Sequence, residues 1–182
     1  MVIGWHKPVM TQRELGGAVY DVLTQARANV AVYVERDTRP WKTILVAHRE
    51  GELDHGALEV AVDIARADTE VRLKVLNVVS RGGAKYHAPF LSEPGLEGRV
   101  EVIHVETSEP LDAVVEHARD CDLVVIGVSR TWGTDPQFFG VRHERIARET
   151  KASLLLVRRR SAVASDAGVT AKTPSAPPPP GR

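Results

Sequence analysis

The stretch Cys121-Asp-Leu-Val-Val-Ile-Gly-Val-Ser-Arg-Thr-Trp-Gly-Thr-Asp-Pro-Gln-Phe-Phe-Gly140 decides the class of fold. It begins with a short apolar run, Leu123 to Ile126, whose β-branched residues are typical of a strand buried on both faces. Gly127 ends the run, and a polar and aromatic loop follows. Helical spacing over 141–150 and a second apolar run over 153–157 complete the pattern. The sequence therefore predicts a β-loop-α-β unit here.

The same unit occurs a second time at the N-terminus. A shift of 123 positions, with no gap, places Gly4 on Gly127 and Gly17 on Gly140. The shift also aligns the following pairs: Lys7 with Arg130, Leu23 with Ile146, Val34 with Val157 and Arg36 with Arg159. A repeat that spans a whole supersecondary unit is a strong architectural signal. Because the first copy lacks everything upstream of its strand, we expect residues 1–36 to be the C-terminal remnant of a first domain.

The rest of the chain divides into a linker, a complete domain and a tail. Residues 37–41 form the predicted linker, residues 42–159 the complete domain, and residues 160–182 a disordered Pro-rich tail. Within the domain, predicted strands (43–48, 71–79, 99–105, 123–126, 153–157) alternate with predicted helices (52–67, 109–119, 141–150). The core face of the first of these helices is predicted to hold Leu53, Ala57, Val60, Ala61 and Ile64. This alternation indicates an α/β fold with parallel pairing and right-handed crossovers.

Composition excludes several classes of function. The 24 basic and 24 acidic residues balance, and aromatic content is 5%, so neither charge nor stacking favours nucleic acid as a partner. A single cysteine excludes an internal disulfide. No apolar run approaches the roughly 18 residues that span a bilayer, and the N-terminus has no signal pattern. We expect a cytoplasmic chain that does not itself insert into a membrane.

Three segments together resemble a universal stress protein domain. They are Lys42-Thr-Ile-Leu-Val-Ala, Arg72-Leu-Lys-Val-Leu-Asn-Val-Val and the unit over 122–157. The resemblance covers residues 41–159. It implies a five-stranded parallel sheet in the order 3-2-1-4-5, with helices on both faces.

A narrower resemblance suggests a setting for this domain. The segments Leu123–Gly133, Phe139–Glu149 and Ile3-Gly-Trp-His-Lys-Pro look like the tandem stress-protein domains on cytosolic tails of bacterial transporters. Those transporters are Kef-type monovalent cation:proton antiporters first and amino acid permeases second. The resemblance implies a non-enzymatic regulatory domain tethered to the inner face of the plasma membrane. Its partner would be the transporter membrane domain, or a second universal-stress-protein-like domain joined through the last strand.

The ATP-binding members of this family carry glycines at fixed spacing followed by a serine or threonine. Such glycines let backbone amides approach phosphates, and the hydroxyl completes an anion site at a helix N-terminus. The matching positions here are Gly127, Arg130, Gly140 and Val141, with Gly4, Lys7 and Gly17 in the first copy. Arg49 stands where those members place an aspartate after their first strand. Because arginine and valine replace a glycine and a hydroxyl, ATP is disfavoured as a cofactor.

Several alternatives stay open beside that reading. Arg130 offers a guanidinium to a small anion, although a side chain spread over the loop surface is the favoured interpretation. Trp132, Phe138 and Phe139 form either a pocket cap or a contact face for a partner domain. The alternative function is a free-standing universal stress protein that binds an adenine nucleotide.

Other candidate chemistry is weaker. His117 and Cys121 have a spacing that suits a metal, with His104 as a third candidate, but a buried cysteine beside a strand is more often core, so no metal is predicted. A nucleotidyl-transferring enzyme would need a His-Gly-His or Ser-Gly-Gly loop after the first strand, and residues 48–51 are neither. No catalytic arrangement is recognisable, and we expect no enzyme.

The repeat makes one further structural prediction. Residues 30–34 correspond to residues 153–157, the final strand of the complete domain, and dimers in the resembling family join through that strand. An exposed apolar edge is a liability unless it is covered. We therefore expect the two strands to lie together about an approximate twofold axis, with the first unit in the place of a dimer partner. The predicted contacts join Val30, Val32 and Val34 to Leu154 and Leu156.

Overall fold

Seven strands and two helices are defined in the computed structural model, which describes residues 2–4, 22, 26, 28–36, 40–48, 55–79, 94–128, 145, 146 and 148–159. The elements are β1 (Val2–Gly4), β2 (Val30–Val34), β3 (Thr43–His48), α1 (His55–Ala67), β4 (Arg72–Val79), β5 (Val100–Glu106), α2 (Pro110–Ala118), β6 (Leu123–Gly127) and β7 (Ser153–Arg158). Isolated residues of further helical segments are also described, namely Val22, Arg145, Ile146, Arg148 and Glu149. The predicted tail, 160–182, lies outside the described residues, and its disorder stays a prediction.

All seven strands belong to one sheet, in the order β1-β2-β7-β6-β3-β4-β5. Every neighbouring pair is parallel except β2 and β7, which are antiparallel. Among the seven strands, the five over 43–158 lie in the order β5-β4-β3-β6-β7. When β3 is counted as the first strand of this set, the order is the expected 3-2-1-4-5. The expected five-stranded parallel sheet is thus part of a larger, mixed sheet of seven strands. The reason is that β2 extends the sheet at β7 and brings β1 with it.

The core lies on both faces of the central strands. On one face, α1 packs against the side chains of β3 and β4 that include Ile44, Val46 and Val75. On the other face, α2 covers Leu45, Ala47 and the β6 residues that alternate with those of the first face. Burial on both faces explains why these strands appear in the sequence as continuous apolar runs. Because the two helices cover both faces of the central strands, polar side chains are expected at the ends of these strands.

The buried face of α1 differs from the predicted one. The helix buries Gly56, Ala57, Leu58, Ala61, Val62 and Ala65. Ala57 and Ala61 are therefore buried as predicted. Val60 and Ile64 are partly buried and pack against the edge of the same core cluster, and Leu53 lies outside the described residues. Two overlapping apolar stripes fit the helical period in this segment, and the stripe with the smaller residues allows the closer approach to the sheet. The predicted face is therefore rotated from the observed one.

The pairing of β2 with β7 confirms the predicted contact between the two copies. Val32 lies opposite Leu156, and Val34 lies opposite Leu154, in an antiparallel ladder. The inward side chains of β2 are at most 3% exposed and share one core cluster with Leu154 and Leu156. Each such side chain contributes roughly 1.5–3 kcal/mol by its burial. The strand β2 is thus held by the same apolar core cluster as β7.

The register of the strands corrects the gap-free repeat. Gly4 pairs with Tyr33 in the first unit, and Gly127 pairs with Val157 in the second. The two glycines are 123 positions apart, whereas their partners are 124 apart. The second unit therefore has one extra residue between its strands. The gap-free alignment equated Val32 with a leucine whose side chain lies on the opposite face of the sheet, and it is wrong by one residue in this strand.

The corrected register places a twofold axis at one residue pair. With the offset of 124, Val32 is equivalent to Leu156, and these two residues face each other across the ladder. Val30 is then equivalent to Leu154, and Val34 to Arg158. The ladder joins Val30 to Arg158 and Val34 to Leu154, so each pair is the symmetry mate of the other. The two strands thus meet as the last strands of two equivalent domains would meet.

Polar contacts hold the first unit near both ends of the ladder. The buried Ser153 hydroxyl oxygen accepts hydrogen bonds from the Tyr33 hydroxyl at 3.3 Å and from the Arg36 backbone N–H at 3.1 Å. At the other end, the Arg158 guanidinium donates to the carbonyl oxygen of Ala26 at 2.9 Å. The contact between the units is therefore specific as well as apolar.

Arg99, just before β5, connects the ends of several elements. Its Nη1 donates to the carbonyl oxygens of Ala65, Asp68 and Val71 at 2.8, 3.1 and 2.7 Å. Its Nη2 donates to the carbonyl oxygen of Gly95. The last turn of α1, the turn after it and the approach to β5 are thus joined through one guanidinium.

Replacement of Arg99 by alanine is expected to lower the free energy of unfolding by about 2 kcal/mol, because hydrogen bonds from a charged donor to several carbonyl groups are lost together. Arg72→Ala is the matched control, since Arg72 is exposed at the start of β4. Its effect should stay within about 0.5 kcal/mol. Urea denaturation of both variants measures the difference, and equal losses would contradict this role for Arg99.

Candidate functional site

Gly127 and Gly4, the first glycines of the two predicted anion-binding segments, end strands that run in opposite directions. Gly127 ends β6, and Gly4 ends β1. β6 is parallel to β7, β7 is antiparallel to β2, and β2 is parallel to β1. Gly127 and Gly4 therefore lie at opposite ends of the strands, and β2 and β7 lie between β6 and β1.

The other predicted site positions lie outside the described residues. They are Lys7, Gly17, Arg49, Arg130, Gly140 and Val141. The aromatic residues Trp132, Phe138 and Phe139 also lie outside them. The candidate anion site stays a prediction from the sequence.

A polar row crosses the carboxyl-terminal edge of the sheet on the face that α1 covers. His48 pairs in register with Asn77, and Asn77 pairs with His104, so the three side chains lie on one face of neighbouring strands. Asn77 is fully buried and His48 is 2% exposed, whereas His104 is exposed. Ligands of parallel α/β sheets bind at this edge. These three side chains therefore lie where a ligand site is expected in this type of sheet.

Analysis of the sequence missed this row. The signal that was present is a single asparagine inside an otherwise apolar strand, Val75-Leu-Asn-Val-Val79. A buried amide costs free energy unless it is hydrogen-bonded, so a polar residue at such a position calls for a partner or a ligand. The partner is 27 residues away in the chain, and only the strand register brings it close.

Asn77 is hydrogen-bonded through one end of its side chain. Its amide nitrogen lies 3.2 Å from Nδ1 of His104. Within the described ranges, its buried side-chain oxygen Oδ1 has no hydrogen-bond partner. An unsatisfied buried acceptor costs about 1–3 kcal/mol.

His48 and His55 lie next to each other at this edge. Their ring centroids are 5.7 Å apart, with an angle of 49° between the rings. Burial, and secondarily the charge of His55, lowers the pKa of His48 from 6.5 to about 4. His48 is therefore a neutral imidazole at neutral pH and keeps a lone pair for bonding.

This lowered pKa predicts a loss of stability in mild acid. The unfolded chain takes up a proton on His48 near pH 6.5, whereas the folded chain takes it up only near pH 4. The contribution is complete above pH 6.5 and is lost as the pH falls from 6.5 to 4, by about 3 kcal/mol in total. Urea denaturation across this range should show a smaller slope between pH 6.5 and 5 for His48→Gln than for the unchanged chain. Equal slopes would contradict the prediction.

The spacing of His117 and Cys121 has a structural explanation. The Cys121 thiol donates a hydrogen bond to the backbone carbonyl oxygen of His117 at 3.3 Å, at the end of α2. Burial raises the pKa of Cys121 to about 11, against an opposing effect of Lys74. The thiol is therefore protonated at neutral pH and is a poor metal ligand. Among the described residues, no three His, Cys, Asp or Glu side chains converge.

Comparison with known proteins identifies the fold. A protein of unknown function from Pseudomonas aeruginosa PAO1 is similar at a TM-score of 0.53 and 18% identity, over 87% of this chain and 62% of that chain. A chain from P. aeruginosa UCBPP-PA14, provisionally assigned to the universal stress proteins, gives the same score and identity over 87% of this chain and 63% of that one. The chain thus spans less than two thirds of either Pseudomonas structure.

A third similarity covers one domain. The universal stress protein UspA from Lactobacillus plantarum matches 66% of this chain and 100% of its own, at 18% identity and a TM-score of 0.46. No protein-family model and no curated protein matches the sequence.

These structural neighbours define the class of the protein at the level of fold. At 18% identity, the similarity to the two Pseudomonas structures shows the fold alone. The chain therefore has a mixed α/β sheet with helices, in the fold of the universal stress proteins. None of the helices in the described ranges has the length and apolar character needed to cross a membrane.

Proposed function

We propose that this chain is a non-enzymatic regulatory domain of a cation:proton antiporter or a related transporter. It acts through contacts with a partner domain, or through a small anionic ligand, that bias the transporter between states. The observation that carries the proposal is the antiparallel pairing of β2 with β7 about the Val32–Leu156 pair. Two units of one fold joined in this way are what a tandem arrangement requires.

The sequence supports the transporter setting. The segments Leu123–Gly133 and Ile3–Pro8 resemble tandem domains of transporter tails. Because the resemblance names a cytosolic position, the proposal includes tethering at the inner face of the plasma membrane. The partner is then the transporter membrane domain or a further domain of the same fold.

Cell fractionation tests this setting. An antibody against the chain should detect it in the membrane fraction of its native cell, as part of a product much larger than 19.9 kDa or in a complex with a transporter subunit. Washing with high salt should release a peripheral subunit but not a fused domain. A product of about this mass that stays in the supernatant and binds no membrane protein would overturn the proposal.

The rival function, a free-standing protein that binds an adenine nucleotide, is tested by restoring the missing signature. Arg130 and Val141 remove a close backbone approach and a hydroxyl, each worth roughly 1 kcal/mol or more of binding. We expect weak ATP binding by the unchanged chain and at least tenfold tighter binding by the double variant Arg130→Gly, Val141→Ser. Titration calorimetry measures both, with Arg130→Ala as the control that removes only the guanidinium. Low-micromolar binding by the unchanged chain would favour the rival.

A further inference from the structure

The two histidines at the carboxyl end of β3 have the separation of ligands that share one ion. His48 is the last residue of β3, His55 is the first described residue of α1, and their ring centroids are 5.7 Å apart. With a metal–nitrogen bond of about 2 Å, the centroid of a bound imidazole lies about 3 Å from the metal. One ion between the rings therefore fits this spacing without movement of the strand or the helix.

Asn77 provides an independent observation at the same place. It is the register partner of His48 on β4, and its side chain lies on the same face of the sheet. Its amide nitrogen lies within hydrogen-bond distance of His104, whereas its buried oxygen has no hydrogen-bond partner among the described residues. A buried amide oxygen in this state calls for a donor or a cation.

The chemistry of the three groups selects the class of ligand. Imidazole nitrogen and amide oxygen are both Lewis bases, so the ligand that suits these three side chains is a cation. Imidazole nitrogen suits Zn²⁺, Co²⁺, Ni²⁺ and Cu²⁺. Calcium and magnesium prefer oxygen ligands, and they suit this set less well.

We propose that His48, His55 and the side-chain oxygen of Asn77 bind one transition-metal ion, such as Zn²⁺, at the carboxyl-terminal edge of β3 and β4. The remaining coordination positions are open to water or to a further donor. The proposal does not depend on the proposed transporter setting. The site would give the domain a metal-dependent state at the edge where its fold binds ligands.

Titration of the full chain with Zn²⁺ at pH 7.5 tests the site. Calorimetry should show one ion bound per chain, and His55→Ala should weaken that binding at least tenfold. His55 is exposed, so its replacement leaves the core intact. His117→Ala is the matched control, because His117 lies on α2 at the opposite face of the sheet. The Zn²⁺ affinity of this variant should stay within twofold of that of the unchanged chain.

Cobalt supplies a second readout. The unchanged chain loaded with Co²⁺ should show visible ligand-field absorption that His55→Ala and His48→Gln both lose and His117→Ala keeps. His55→Ala keeps the test decisive even where replacement of the buried His48 prevents folding. The proposal is overturned by Zn²⁺ affinity that is unchanged in His55→Ala, or by absence of binding to the unchanged chain at about 100 μM Zn²⁺.

Discussion

A variant that lacks residues 1–40 is expected to dimerise through β7 or to aggregate. The deletion removes β1 and β2, and it leaves β7 as an edge strand that is paired only with β6. Leu154 and Leu156 then lose the valines that cover them in the shared core cluster. An apolar edge with free backbone groups pairs readily with a second edge of the same kind. The remaining domain should therefore form through a second copy the contact that the first unit provides.

Size-exclusion chromatography with light scattering measures this outcome. The matched control lacks residues 161–182 and so loses chain from the other end without exposing β7. We expect the control to keep the oligomeric state of the unchanged chain. Its melting temperature should stay within about a degree of the unchanged value, because the removed segment is predicted not to pack against the domain. A deletion of 1–40 that stays monomeric and melts at the original temperature would show that the first unit does not cover the edge.

The second large effect is expected from Val32→Asp. Val32 is completely buried and lies opposite Leu156 at the proposed twofold axis. A carboxylate at this position has no partner cation in the apolar cluster, so its desolvation is uncompensated. We expect the free energy of unfolding to fall by at least about 3 kcal/mol, or the first unit to detach and expose β7.

Ala28→Asp is the control for that substitution, since it adds the same charge at an exposed position just before β2. Its effect should stay within about 0.5 kcal/mol. Urea denaturation measures the global loss of stability. Light scattering detects local detachment, because an exposed β7 raises the apparent mass. A Val32→Asp variant with neither change would contradict the buried role of this side chain.

Strands buried on both faces could be predicted from the sequence. β3 has the predicted bounds, and β6 and β7 each extend one residue beyond them. Continuous β-branched and leucine runs bounded by turn residues carry a strong local signal, because such strands have no polar face. The pairing of β2 with β7 was also predictable, since the repeat identified two equivalent apolar edges that needed cover.

Register was not predictable from the same information. One extra residue in a loop leaves the apolar character of both strands unchanged, but it reverses which residues face the core. The core face of α1 was predicted only in part, because two overlapping apolar stripes in this helix fit the same helical period. The polar row of His48, Asn77 and His104 depends on register across three strands. The register between neighbouring strands cannot be obtained from the order of residues along the chain alone.

We infer that the first unit takes the place of a dimer partner through a ladder with Val32 opposite Leu156. Nuclear magnetic resonance can detect this ladder through cross-strand contacts between backbone protons in the full chain. We expect contacts that join Val30 with Arg158, Val32 with Leu156 and Val34 with Leu154. Absence of these contacts, or a ladder shifted by one residue so that Val32 lies opposite Leu155, would contradict it.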